Sequence, residues 1–135
     1  MIKYLVDTHI LGYFARNSSA ALQKRMLAGL QKQELAISAI TRAETQFGVA
    51  LLQADDKRRR TIDLLLNEFP VLPWTAEAAD RYGEIAGLLQ RSGQPIGHMD
   101  TQIAAHALVL DLPLVTHNMR HFKRVPGLKL EDWMA

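Results

Sequence analysis

Three carboxylates and one amide sit where the chain should pass from a strand into a helix. Asp7 follows an apolar run at residues 2–6, and Glu44 lies just beyond a second at 35–39. Asp100 heads a helical segment at 101–110, and Asn118 follows a third run at 112–116. In a parallel α/β sheet the C-terminal ends of the strands share one edge, so residues placed this way converge there. Converging carboxylates repel one another, and burial raises the cost of their charge. A divalent cation relieves both. Oxygen donors without any cysteine suit Mg²⁺ or Mn²⁺. The chemistry to expect of such a site is metal-assisted attack on a phosphate ester.

Each residue also has a structural reading. Asp7 and Asp100 stand where an N-cap would. Thr41-Arg42-Ala43-Glu44 has the form of a capping box, in which the glutamate folds back on the N-cap amide. Asn118 fits an ordinary turn. The recurrence of polar groups after neighbouring strands favours the joint, functional reading. His9, His98, His117 and His121 lie near the expected edge and His106 in mid-helix. No pair has the spacing of a zinc site, whereas a histidine at the edge can meet a phosphate or carry a proton. The run Lys57-Arg58-Arg59-Arg60 reads as a solvated helix face or as a phosphate-binding or docking patch. Phe14, Phe47, Phe69 and Tyr82 read as core.

The elements that must position these residues alternate. Strands are expected at 2–6, 34–38, 71–72 and 112–116, with a last short strand within 125–130. Helices are expected at 9–15, 20–33, 41–53, 56–69, 75–91 and 100–110. This is α/β architecture, a mainly parallel sheet covered on both faces. The 135 residues fit one domain spanning 1–135, with 48% hydrophobic residues to build its core. A net charge of +2 permits a nucleic-acid partner without requiring one. The absence of cysteine excludes disulfides, thiol catalysis and thiolate zinc sites. With no apolar run near membrane-spanning length and no signal-peptide layout at the N-terminus, the expectation is a soluble cytoplasmic protein.

Taken in order, the motifs resemble those of PIN-domain ribonucleases. Leu5-Val6-Asp7-Thr8-His9-Ile10-Leu11 resembles the opening of that family, and Ser38-Ala39-Ile40-Thr41-Arg42-Ala43-Glu44 with Phe47-Gly48 its second motif. Ile96-Gly97-His98-Met99-Asp100-Thr101-Gln102-Ile103-Ala104-Ala105-His106-Ala107 resembles the third. Leu114-Val115-Thr116-His117-Asn118, with Arg120, Phe122 and Val125-Pro126-Gly127-Leu128, resembles the fourth, and Leu130-Glu131-Asp132-Trp133 is a typical ending. The most similar subgroup is the VapC toxins of bacterial type II toxin–antitoxin systems.

The resemblance implies a PIN fold with a sheet in 3-2-1-4-5 order. It implies an Mg²⁺- or Mn²⁺-dependent endoribonuclease acting on structured RNA such as tRNA, a homodimer, and a cognate VapB-type antitoxin. By motif position Asp7, Glu44 and Asp100 correspond to the metal-binding acids, Asn118 to a position often held by a fourth acid, and Thr116 to its polar companion. The chain departs from the pattern at Asn118, which carries no charge, and at His121, where relatives often have glutamate. His9 and His98 also depart from the common residues. At most one metal in the free protein is therefore the expectation, with any second ion arriving with substrate and Arg42, Arg120 or Lys123 as candidates to neutralise charge. Two other readings stand beside it: a catalytically inactive PIN-fold protein kept for antitoxin binding, which Asn118 and His121 leave open, and a metal-dependent phosphatase, for which Asp7-Thr8-His9 lacks the usual second acid.

Overall fold

A computed structural model describes residues 1–135. The chain runs β1 (Tyr4–Val6), α1 (Thr8–Ala15), α2 (Ala20–Gln31), β2 (Leu35–Ser38), α3 (Ala39–Ala50), α4 (Lys57–Leu66), β3 (Val71–Leu72), α5 (Ala76–Arg91), α6 (His98–Leu110), β4 (Leu114–Val115), α7 (Met119–Phe122) and β5 (Leu130–Glu131). The five strands form one sheet in the order β3-β2-β1-β4-β5, and every pairing is parallel. This is the 3-2-1-4-5 order that the resemblance implies.

The central strands β2 and β4 and the last two residues of β1 are buried, while the edge strands β3 and β5 are partly exposed. Leu5 of β1 and Leu114 of β4 face one way, into a core closed by Ile85 and Leu89 of α5, Ile103 and Ala104 of α6, and Phe122 of α7. Val6 and Val115 face the other way, with Leu35 and Ile37 of β2, onto Ile10 of α1, Leu22 and Met26 of α2, and Leu66 of α4. The period-2 alternation of the strands thus divides the helices between the two faces. No helix is long and apolar enough to cross a membrane.

Several boundaries differ from the sequence expectation, and two helix starts among them bear on the site. α3 begins at Ala39, not Thr41: the Ser38 hydroxyl accepts from the Ile40 N–H at 3.0 Å and caps it. Thr41 therefore lies within the first turn, and Glu44 is not the glutamate of a capping box. α6 begins at His98, preceded by Gly97 at φ +96°, a backbone state that favours glycine. Asp100 is accordingly a first-turn residue, well placed against the helix dipole, and not an N-cap. The short α7 after Asn118 was not foreseen. Among the aromatics, Phe69 is buried but Phe47 is 65% exposed on α3, so the expectation that Phe47 belongs to the core is wrong. Its helix has an outward apolar face that includes Leu51, 72% exposed.

Gly29 of α2 shows how closely the second face is packed. A Cβ there would stand 2.8 Å from the Leu35 side chain, which is itself buried in β2. Gly29→Ala gains about 1 kcal/mol of helix propensity but overpacks this contact at a cost of about 1–3 kcal/mol. The expected net effect is destabilising, read as a melting temperature several degrees below wild type. A variant at least as stable as wild type would show that α2 can move away from the sheet.

Candidate active site

The strand order reverses direction between β1 and β4, which is where ligands enter sheets of this kind. Asp7 lies directly after β1 and Thr116 directly after β4. The Thr116 hydroxyl donates to Asp7 Oδ2 at 2.9 Å, across the gap between the two strands. Asp7 Oδ1 accepts from the Thr8 N–H at 2.7 Å, the first amide of α1. The carboxylate is 1% exposed. Burial pushes its pKa up to about 6, with the charge of Asp100 adding to the rise, while the Thr116 hydroxyl and His9 hold it down. Asp100 is raised as well, chiefly by burial, against the opposing pull of His9 and His121.

Glu44 joins this pair through an intermediary. Thr8 donates its N–H to Asp7 and its hydroxyl to Glu44 Oε1 at 2.7 Å, so one residue connects the two carboxylates. The hydroxyl of Thr41, itself buried, stands 3.2 Å from that of Thr8. Because Thr8 has one hydroxyl proton, already directed at Glu44, Thr41 must be the donor in that contact. Asp7 and Asp100 thus sense each other directly, and Glu44 stands one residue behind. No three His, Asp or Glu side chains are arranged to form a common metal cluster. The donor set nevertheless fits Mg²⁺ or Mn²⁺. Two carboxylates suffice for an ion that keeps several of its waters, and two carboxyls driven upward by burial, with the charge of Asp100 adding to the rise at Asp7, are electrostatically short of positive charge.

Asn118 donates its backbone N–H to the Thr116 hydroxyl at 3.0 Å. Its side-chain Nδ2 lies 3.0 Å from His121 Nδ1, which is 3.7 Å from the Asp100 carboxylate. That imidazole nitrogen can accept from the Asn118 amide or, when protonated, face the Asp100 carboxylate as a donor, but not both at once. The other histidines separate in role. His98 pairs with the Tyr82 hydroxyl at 2.9 Å. His117 Nδ1 is 3.0 Å from the Asp132 carboxylate. His106 is buried, with Nδ1 2.8 Å from the Ser38 hydroxyl. Burial lowers its pKa, while a hydrogen bond to the Pro73 carbonyl opposes this. It therefore ties α6 to Ser38, the last residue of β2 and the cap of α3. Arg42, Arg120 and Lys123 form no ion pair with the acids.

Sequence reasoning did not single out Thr8, Thr41, Ser38 or Asp132. Thr8 follows Asp7 immediately, and a hydroxyl beside a metal-type acid is a usable signal. The pairing of Asp132 with His117 has no local signature, because it depends on β5 lying beside β4.

Comparison with known proteins agrees with this geometry. The PIN domain family matches residues 4–128. The chain is 35% identical over 133 residues to the tRNA(fMet)-specific endonuclease VapC of Shigella flexneri, covering 98% of this chain and 99% of that one. It is 35% identical to ribonuclease VapC1 of Haemophilus influenzae strain R2866, covering 96% of this chain and 97% of that one. The crystal structure of DNA-bound VapBC from Salmonella typhimurium contains a chain that matches with a TM-score of 0.90 at 31% identity, over 98% of this chain and 99% of that one. One in Rickettsia felis VapBC2 bound to a promoter DNA fragment matches with a TM-score of 0.87 at 32% identity, over the same shares.

The raised pKa of Asp7 has a definite thermodynamic sign. The folded state holds this proton more tightly than the unfolded chain, so the stability contributed is fully present below about pH 4 and is lost as pH rises through about 6. In the absence of metal this amounts to about 3 kcal/mol for the shift from 3.8 to about 6. Asp7→Asn removes that ionisation. Measured by urea unfolding in EDTA, the stability of the variant relative to wild type should rise between pH 4 and pH 7.5. A constant difference across that range would show that Asp7 is not held against its charge.

Proposed function

This chain belongs to the PIN-domain family, and from that premise we propose that it is a Mg²⁺- or Mn²⁺-dependent endoribonuclease toxin of the VapC type. Its substrate is structured RNA, in first place tRNA, and a cognate VapB-type antitoxin restrains it in the cytoplasm. The observation that carries this reading is the buried Asp7 beside Asp100 at the strand-order switch, in a chain that aligns nearly end to end with named endoribonucleases.

In this reading Asp7 and Asp100 hold the cation. When bound, the ion supplies the positive charge that a phosphodiester needs at its phosphoryl oxygen and acidifies the attacking water. The remaining work falls to the protein. Thr116 keeps Asp7 turned toward the crevice, Thr8 and Thr41 fix Glu44 beside it, and the Asn118 amide occupies the position of a fourth acid without adding charge. The uncapped first turn of α6 presents free amides near Asp100 and so favours an anionic substrate. The whole chain, 1–135, acts as one domain.

An apolar groove of about 560 Å³ runs from Thr8 between α1, α3 and α4, past Leu11, Val49, Leu52 and Ile62, with Arg16 and Arg58 among its lining residues. It is suited to an amphipathic antitoxin segment that reaches the acids at its Thr8 end. The exposed Phe47 and Leu51 supply apolar surface for the homodimer. The inactive antitoxin-binding reading and the phosphatase reading predict no RNA cleavage.

Incubation of a tRNA with the purified chain should give discrete endonucleolytic products with Mg²⁺ or Mn²⁺ and none in EDTA. Asp100→Asn should lower the rate by at least about a hundredfold, the scale at which loss of one electrostatic stabiliser is felt, with little change in melting temperature. Equal cleavage in EDTA, or an Asp100→Asn variant as active as wild type, would count against the reading. Asn118→Asp adds a carboxylate, and calorimetry should show tighter Mn²⁺ binding than in wild type.

A further inference from the structure

His117 is absorbed by none of the roles assigned above. It follows Thr116, two residues beyond the end of β4, and it is exposed. Its Nδ1 lies 3.0 and 3.1 Å from the two oxygens of Asp132. Asp132 is fixed in turn: its Oδ1 accepts the Met134 N–H at 3.0 Å. The neighbouring Trp133 is buried, stands edge-on to Tyr4 and carries the Arg25 guanidinium 4.4 Å above its ring. The His117 ring is further set at 88° to the Tyr13 ring, with centroids 5.8 Å apart. An exposed imidazole is thus held on two sides. The rest of its surface lines an open depression of about 320 Å³ shared with His9, Tyr13 and Asn118, beside the acid centre.

The chemistry of this pair is directional. A carboxylate only accepts, so Nδ1 holds a proton and, in the neutral ring, Nε2 presents a bare lone pair. Along a sugar–phosphate backbone the phosphates only accept, and the one donor is the ribose 2′-hydroxyl, which DNA lacks. We propose that His117, positioned by Asp132, is a ribose-recognition contact: its Nε2 accepts a hydrogen bond from a 2′-hydroxyl of the RNA seated in the His9–Tyr13–His117–Asn118 depression. The assignment rests on the endoribonuclease reading for its ligand and adds to it the group that distinguishes RNA from DNA. Asp132 acts through His117 and is a positioning residue.

The test compares binding of one oligonucleotide sequence, a tRNA anticodon stem-loop, as RNA, as DNA and as RNA with single 2′-deoxy substitutions, by fluorescence anisotropy in EDTA. Wild type should favour RNA. His117→Ala should remove up to about tenfold of that preference, the range of one neutral hydrogen bond, while leaving DNA affinity unchanged. One 2′-deoxy position should weaken wild type and have no effect on the variant. His117→Gln keeps an acceptor and should retain part of the preference, and Asp132→Asn should lose part of it. Equal weakening toward RNA and DNA, with a salt dependence shallower by about one ion, would assign His117 to a phosphate and overturn the proposal. So would a wild type with no RNA preference, or a His117→Ala variant that keeps all of it. Cleavage is scored separately with Mg²⁺. RNA preference without cleavage removes the nuclease reading and leaves the contact, whereas cleavage with an intact preference in His117→Ala does the reverse.

Discussion

One buried carboxylate organises this molecule. Asp7 is shut away from water at the end of the central strand, and a charge in such a place is tolerated only if its surroundings supply compensation. The neighbouring elements can be read as supplying it. β4 brings the Thr116 hydroxyl, and α1 brings the Thr8 amide and sets its dipole against the charge. Asp100 on α6 works in the opposite sense and keeps the proton affinity high. The site is therefore left short of positive charge, which is the condition a cation-dependent centre needs.

The second layer of the site positions rather than reacts. Thr8 reaches both acids with two different atoms, so any displacement of α1 changes Asp7 and Glu44 together. Ser38 serves as cap for α3 and as partner for buried His106, which in turn bonds to the Pro73 carbonyl and stands edge-on to Trp74. In this way α6, which carries Asp100, and α3, which carries Glu44, are tied to a single point at the end of β2. The reactive edge stays open while its supports are buried. Such pre-organisation is what electrostatic catalysis requires, since the protein groups need not rearrange as charge develops.

Much of this was legible in the chain because parallel sheets have strong local signatures. Short apolar runs ending in polar residues located β1, β2 and β4, and helices were expected over the spans of α2 and α5. Asp7 was legible because it sits at a strand end; Glu44 instead lies inside α3, and Asp100 lies in a helix that follows α5 and not a strand, so for these two the strand-to-helix expectation does not hold. What escaped was non-local. The true start of α3 depends on Ser38, which reads as part of a strand until its hydroxyl is seen to cap Ile40. Phe47 was misplaced because an apolar helical stripe looks the same whether it faces the core or an interface. That Glu44 stands one residue behind the aspartates, bridged by Thr8, is a matter of side-chain reach that spacing does not encode.

The hydrogen bond between Thr116 and Asp7 closes a separation of 109 residues. It has a consequence for how the protein comes into being. Contacts of such range form late, after the chain between them has been ordered. During synthesis residue 7 emerges long before residue 116, and residue 132, which holds His117, emerges later still. A growing chain on the ribosome therefore carries its first acid without the strand that completes the crevice. No nascent piece that stops before β4 contains the crevice, so the site is a property of the whole sheet and of no single segment of it.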